Sequence, residues 1–453
     1  MTLSKKLAEY TVHLKYEDLP LEVVEFTKIC ILDWYGSALA GKDEKPVQSI
    51  KELVEEWGGN EQCSLITGGK SSIGNACLVN AASSHIVELD DIHKSSIIHA
   101  GTVVIPAAIA IAEAYDLTGK ELITAIVAGY EVCYRIGEAV SPSHYYYWHN
   151  TATCGTFGSA AASAKLLNLN VEQIAYALGN AGTQAAGLWE FIEDGANTKQ
   201  LHTAKAAYNG VLAAMLARKN FSSASKILEG RRGFFQAMST EYNEEKITEQ
   251  LGKQFKIIEN SFKIHASCRH THPAMDCVLQ LVQEHNLTHE SIQNIDIHTY
   301  QTVLDITDNP QPDSIYASKF SSQFCSALIA VNQSASLKDF TKESLHSPVI
   351  RELMEKVSVA ADPYFTGAYP EKWGAKVEIT LENGMKVKAS TDYPKGDPEN
   401  QAAKDEMVAK FSNMTSDKIL HPDEEAAIIF DLENIKIKNW LPNVNYRLAN
   451  QKV

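Results

Sequence analysis

The chain has 453 residues, 45% hydrophobic and 21% charged, with 41 Lys and Arg against 56 Asp and Glu for a net charge of −15. That is ordinary globular usage in a chain long enough to bury a large core without disulfide staples. The acidity argues against nonspecific nucleic-acid binding, which needs clustered cations, and no uninterrupted apolar run of about 18 residues argues for a membrane span.

In chain order, the first 220 or so residues read mostly as helix. Leu21 to Leu39 is a long apolar-periodic segment, and Val103 to Tyr115 continues the theme, with Pro106 placed near a helix start. Thr118 to Arg135, Gly155 to Leu167, Val171 to Ala186 and Leu201 to Leu216 repeat the pattern. Their many Ala, Gly and Ser residues, as in Gly158-Ser-Ala-Ala-Ala-Ser-Ala164, imply closely packed helices. The character changes after about residue 260. A helix over Ala274 to Glu284 precedes a strand in Ser291 to Tyr300, and Lys376 to Ala389 alternates on both sides of Asn383-Gly384, a strong hairpin signal. Residues 265–399 thus read as a smaller α+β unit, closed by the turn-rich Tyr393-Pro-Lys-Gly-Asp-Pro-Glu-Asn400. The two helices after it, Gln401 to Phe411 and Pro422 to Leu432, are expected to rejoin a large helical domain made of 1–264 and 400–453. The N-terminus to Tyr16 lacks the apolar stretch of a secretory signal. The eight cysteines form no CxxC pair and read as reduced thiols of a cytoplasmic protein.

Four segments concentrate polar groups within apolar surroundings. His85-Ile-Val-Glu-Leu-Asp90-Asp91-Ile-His93 with His99 pairs imidazoles with carboxylates, the residues of acid–base chemistry near neutral pH. Asp90, Asp91 and His93 also offer metal ligands, but no HExxH-like spacing supports a metal. Tyr145-Tyr-Tyr-Trp-His149 leads into a helix and suits a pocket wall. Gly195-Ala-Asn-Thr-Lys199-Gln-Leu-His202-Thr-Ala-Lys205 places cations at a helix start, with His202 and Lys205 three apart on one face, a pattern suited to carboxylate capture. Phe262-Lys263-Ile-His265-Ala-Ser-Cys268-Arg269-His270-Thr-His272-Pro273 is the densest set, and Cys268 beside Arg269 reads as a possible nucleophile without a protease signature around it. No GxGxxG or GxxxxGK[ST] loop offers a nucleotide site. Cations and imidazoles in an acidic protein favour a small polycarboxylate ligand.

Together these residues resemble the MmgE/PrpD family of 2-methylcitrate dehydratases, cis-aconitate decarboxylases and iminodisuccinate epimerases. The resemblance covers essentially the whole chain. It rests on Glu88-Leu-Asp-Asp-Ile-His93 with His99, on Gly129-Tyr-Glu-Val-Cys-Tyr-Arg135 and on His149-Asn-Thr-Ala-Thr-Cys-Gly-Thr-Phe-Gly158. Lys199-Gln-Leu-His202, Lys263 with Cys268-Arg-His-Thr-His272-Pro, and Tyr393 to Asn400 complete it. It implies a mainly α fold with a second, α+β lid domain, and a homodimer with no metal or organic cofactor. Its substrate would be a small di- or tricarboxylate, deprotonated next to a carboxylate. It implies His99, His149, Asp90 or Asp91, and Lys199 as catalytic residues, and His93, His202, Lys263 and His272 as substrate-binding residues; the residues themselves add Cys268 and Arg269 to the substrate-binding set. In the decarboxylase branch the position five after Lys263 is a histidine where this chain has Cys268, and a tyrosine stands where Phe324 aligns. The chain therefore reads as 2-methylcitrate dehydratase-like, with epimerase, decarboxylase and silent polycarboxylate binder as alternatives.

Overall fold

Glycine sets the spacing of the central helices. A Cβ on Gly129 would lie 2.9 Å from the Gly158 carbonyl oxygen, and one on Gly158 would lie 2.7 Å from that of Gly129. The helices Gly119–Val140 and Asn150–Leu166 therefore meet backbone to backbone, which any larger side chain would prevent. The computed structural model describes residues 1–193, 196–438 and 440. Residues 441–453 of the expected helical domain, and Gly195 of the Lys199 segment, lie outside them.

The chain divides into two compact units, one built from Met1–Asn260 with the segment from Ala403 onward, the other from Ser261–Ala402. The first is helical. Asn150–Leu166, buried on nearly every face, packs against Gly101–Ala114, Gly119–Val140, Val171–Gly182 and Thr198–Arg218. Leu21–Gly41 packs against Ile73–His85 and Lys404–Thr415. Pro106 is the sixth residue of Gly101–Ala114, deeper than expected; it withholds an N–H from the Thr102 carbonyl, and burial of the whole helix compensates. Gly129 to Arg135 contributes a structural tie. Arg135 donates to Glu131 (2.7 Å) and to the Glu249 carbonyl (2.5 Å), while Glu131 accepts from the Lys256 amide.

The second unit carries a four-stranded sheet. Val357–Ala361 pairs in parallel with Ile292–Thr299, which pairs antiparallel with Ala375–Leu381, and that strand with Lys386–Thr391. The Asn383-Gly384 turn joins the last two, with Gly384 at φ +82° and Thr380 opposite Lys386. The helix His272–His285 packs against this hairpin. Gly396 adopts φ +91° in the turn after Tyr393, where its carbonyl accepts from the Phe262 amide at 2.8 Å. The molecule is thus a large helical unit plus a smaller α+β unit. Seven of the eight cysteines are buried and Cys268 is partly exposed. Among the described residues no helix is long and apolar enough to cross a membrane.

Candidate active site

In the helical unit, four chain segments bring imidazoles and one carboxylate together. His85 ends the helix Ile73–His85, after which the chain turns sharply, with Glu88 at φ +60°. The turn returns Asp90 to His85: Asp90 Oδ2 lies 2.7 Å from His85 Nδ1 and 3.2 Å from His99 Nδ1. His99 stands two residues before the helix Gly101–Ala114, held by its amide on Thr151 Oγ1 at 3.1 Å.

His149 is the N-cap of Asn150–Leu166. Two loops zip together to place it: the His149 amide donates to the Gly187 carbonyl at 2.9 Å, and the Trp189 amide to the Tyr147 carbonyl at 3.1 Å. Gly187 is required there, because at φ +152° a Cβ would lie 2.6 Å from that of Ala152 and 3.4 Å from the His202 ring. The zipper sets Trp189 4.8 Å from the His149 ring and Phe191 5.4 Å from that of His202. His149 Nδ1 and His202 Nδ1 are 3.3 Å apart, and the His149 ring stacks on His85 at 5.8 Å. Lys199, beside His202 in the first turn of Thr198–Arg218, is ion-paired with Glu88.

Burial alone would raise the Asp90 carboxyl, but His85 and His99 beside it hold it well below the usual carboxylate range. Burial pushes His85 down, and it pushes His149 well below 6.5 with the neighbouring imidazoles and Lys199 adding to the effect. His202 falls to about 4, again chiefly through burial. The consistent state is an ionised Asp90 accepting the Nδ1–H bond of a neutral His85, which leaves the His85 Nε2 lone pair as a base, with His99 Nδ1 3.2 Å from the same oxygen. His85 Nε2, Asp90 Oδ1 and His99 Nδ1 are buried with no hydrogen-bond partner among the described residues. His99, His149 and His202 each sit at the start of a helix, where the dipole opposes imidazolium and favours an anion. Cations and neutral bases beside a helix-start anion site suit a carboxylated substrate. His85, Asp90 and His99 also have their ligand atoms close enough to hold a metal ion, as do His93, Glu138 and Glu259. The 2.7 Å between His85 Nδ1 and Asp90 Oδ2 is that of an N–H···O hydrogen bond.

Residues 5–246 match the MmgE/PrpD N-terminal domain and residues 265–434 the MmgE/PrpD C-terminal domain. The chain belongs to the MmgE/PrpD family. Similar proteins include a cis-aconitate decarboxylase-like protein of Aspergillus oryzae, 25% identical over 92% of this chain and 91% of the relative. The cis-aconitate decarboxylase of Aspergillus terreus is 27% identical over 87% of this chain and 85% of its own. The Mus musculus enzyme is 25% identical over 93% and 88%. These relatives carry the decarboxylase name, whereas the sequence reading favoured the dehydratase branch.

Within this MmgE/PrpD chain the structure brings Asp90, His99, His149, Lys199 and His202 together. It adds His85, Trp189 and Phe191, which the sequence reading did not assign roles. Their signals were three histidines within 15 residues and the aromatic run after Gly187. Asp91 points elsewhere, accepting from the Gly101 amide (3.0 Å), the Tyr130 hydroxyl (2.7 Å) and Asn260. Burial, reinforced by the nearby Asp33, raises its pKa to about 7. His93 stacks on Tyr134 at 4.2 Å and turns its nitrogens to Ser96 and Glu259. Lys205 does not share the environment of His202: it is exposed over the Tyr208 ring, because three residues leave a 60° offset around the helix.

In the α+β unit, Lys263 is buried. Arg269 is ion-paired with Asp397 and donates to the Phe262 and Lys395 carbonyls, each at 3.2 Å. It also donates to His272 Nδ1 at 3.0 Å, and His272 Nε2 lies 3.3 Å from the Ser267 carbonyl. The partly exposed Cys268 donates its amide to the Lys319 carbonyl at 2.9 Å.

Proposed function

We propose that this chain is a lyase that moves a proton at the carbon next to a carboxylate of a small di- or tricarboxylate, in the manner of a 2-methylcitrate dehydratase. The observation that carries the reading is the pairing of two imidazole devices: His85 and His99 on the shared Asp90 carboxylate, and His149 with His202 stacked against them. A carbon acid beside a carboxylate is weak, so its removal needs a base poised near neutral pH and positive charge for the developing enediolate. His99 takes the proton through Nε2, with Asp90 stabilising the imidazolium that forms. Lys199 and the helix starts offset the charge on the substrate carboxylate. His149, on the other side of the cluster, protonates the leaving hydroxyl, which departs as water while the electron pair from the broken C–H bond forms the double bond. The sequence-derived expectations of a homodimer, a cytoplasmic location and no metal or organic cofactor belong to this proposal.

A second reading is favoured by the names of the relatives. In a decarboxylation of cis-aconitate type, carbon dioxide leaves first and the same histidine delivers a proton to the carbon left behind. Proton NMR of the purified protein in D2O with 2-methylcitrate, citrate and cis-aconitate separates the two. Dehydration gives an unsaturated acid and deuterium exchange next to a carboxylate; decarboxylation gives a product one carbon shorter. Neither exchange nor product from any of the three would sink both readings.

A further inference from the structure

The residues from Ile86 to Asp91 form neither helix nor strand, and Glu88 within them holds a left-handed conformation that is costly for a non-glycine residue. Nothing in regular secondary structure therefore aims the Asp90 carboxylate, although one of its oxygens must meet two imidazoles at once. A helix from the far end of the chain supplies the missing constraint. Lys410, on Lys404–Thr415, is 8% exposed and donates from Nζ to the Leu89 carbonyl at 2.8 Å. The same ammonium pairs with Asp33 of Leu21–Gly41, itself 2% exposed. The Leu89 carbonyl belongs to the peptide group whose nitrogen is that of Asp90. The ion pair thus grips the main chain at the peptide that enters Asp90.

We propose that Lys410 is a positioning residue for Asp90, fixing the Leu89–Asp90 peptide so that the carboxylate reaches His85 and His99 together. A buried ion pair adds little stability over two well-packed apolar residues, so stability alone gives no reason for this one. Its hold on the main chain beside Asp90 does. The consequence for turnover rests on the function proposed above; the consequence for the hydrogen bonds does not.

The test uses the full chain with isotope-labelled histidine. In the wild-type protein, one exchange-protected, downfield Nδ1–H signal is expected, that of His85 on Asp90, and Asp90→Asn assigns it by removing it. Lys410→Met should remove or shift it. Because that variant leaves Asp33 buried and can fail to fold, the double variant Asp33→Leu/Lys410→Met is measured beside it; it removes both charges and should regain the wild-type melting temperature. Positioning predicts that the double variant still lacks the signal. It also predicts that kcat stays down on the order of 100-fold with KM little changed, as for a misplaced group that does not touch substrate. A purely structural role predicts that signal and turnover return with stability, and that outcome overturns the proposal, as does a wild-type protein without the signal. Loss of the signal in a protein that turns over none of the acids would overturn the reaction assignment and leave the clamp standing.

Discussion

Two polar clusters, one in each unit, are built from similar residues and finished in opposite ways. Around Arg269 every partner is matched. The guanidinium meets Asp397, two carbonyls and a ring nitrogen, and both nitrogens of His272 are engaged. Around Asp90 the matching stops short, leaving His85 Nε2, Asp90 Oδ1 and His99 Nδ1 buried without partners among the described residues. Folding satisfies nearly all buried polar groups, so a cluster that stays incomplete marks a place where another molecule completes it. The same residue types are therefore paired within the fold in one unit and left partly unpaired in the other.

The sharpest way to break the comparison is to remove one imidazole from the incomplete cluster. His99→Asn should lower turnover by roughly 100- to 10,000-fold, the usual worth of a general acid or base, while circular dichroism and melting temperature stay close to wild type. Turnover surviving at the wild-type level would remove His99 from the mechanism. The adjacent carboxylates come next. Asp90→Asn takes away the carboxylate that fixes the His85 tautomer and lies beside His99, and should cost on the order of 100-fold in kcat. Asp91→Asn should change kcat by less than about fivefold, since the amide imitates a carboxyl already partly protonated and still meets Tyr130 and Gly101. Equal losses in the two variants would erase the distinction between them.

In the finished cluster the expectation reverses. Arg269→Met removes the guanidinium from the buried Asp397 carboxylate and from two carbonyls, and should destabilise the fold by roughly 3–5 kcal/mol in chemical denaturation. A variant of undiminished stability would show that Arg269 is not a scaffold tie. The remaining effects are in pH. His202, His144 and His270 have folded pKa values of about 4, against about 6.5 when unfolded. The unfolded chain then binds more protons, so stability is full above about 6.5 and declines as pH falls from there toward 4. Asp91 acts with the opposite sign. Its folded pKa of about 7 means stability present at low pH and lost as pH rises through 7, and Asp91→Asn should flatten that neutral-side decline in a melting-temperature profile.

The elements most legible in the sequence were those set by local pattern. The hairpin about Asn383-Gly384 was readable because the turn chemistry and the two-residue alternation agree, and the strands formed there. The strand Val357–Ala361 was not assigned. Its burial is irregular and its place follows from a parallel partner distant in sequence. Helix starts were misjudged by a few residues, as at Asn150, where the cap is a histidine with no side-chain capping bond. At the site, His99, His149 and Asp90 stood out by residue type and density. The different fates of Asp90 and Asp91 could not be read, because neighbours in sequence point to opposite surroundings once the turn is made. The role of Lys410 was equally hidden, since Asp33 and Leu89 lie hundreds of residues away.

The distribution of thiols has a practical consequence. Burial lifts Cys77, Cys154 and Cys325 to about 12 and leaves them largely unreactive, and the other inward-facing cysteines are equally shielded. Cys268, partly exposed beside Arg269, is the thiol an alkylating reagent meets first. The native protein thus carries its own attachment point for a fluorophore, within the segment that joins Lys263 to the helix His272–His285, and a label can be installed there without altering a single codon.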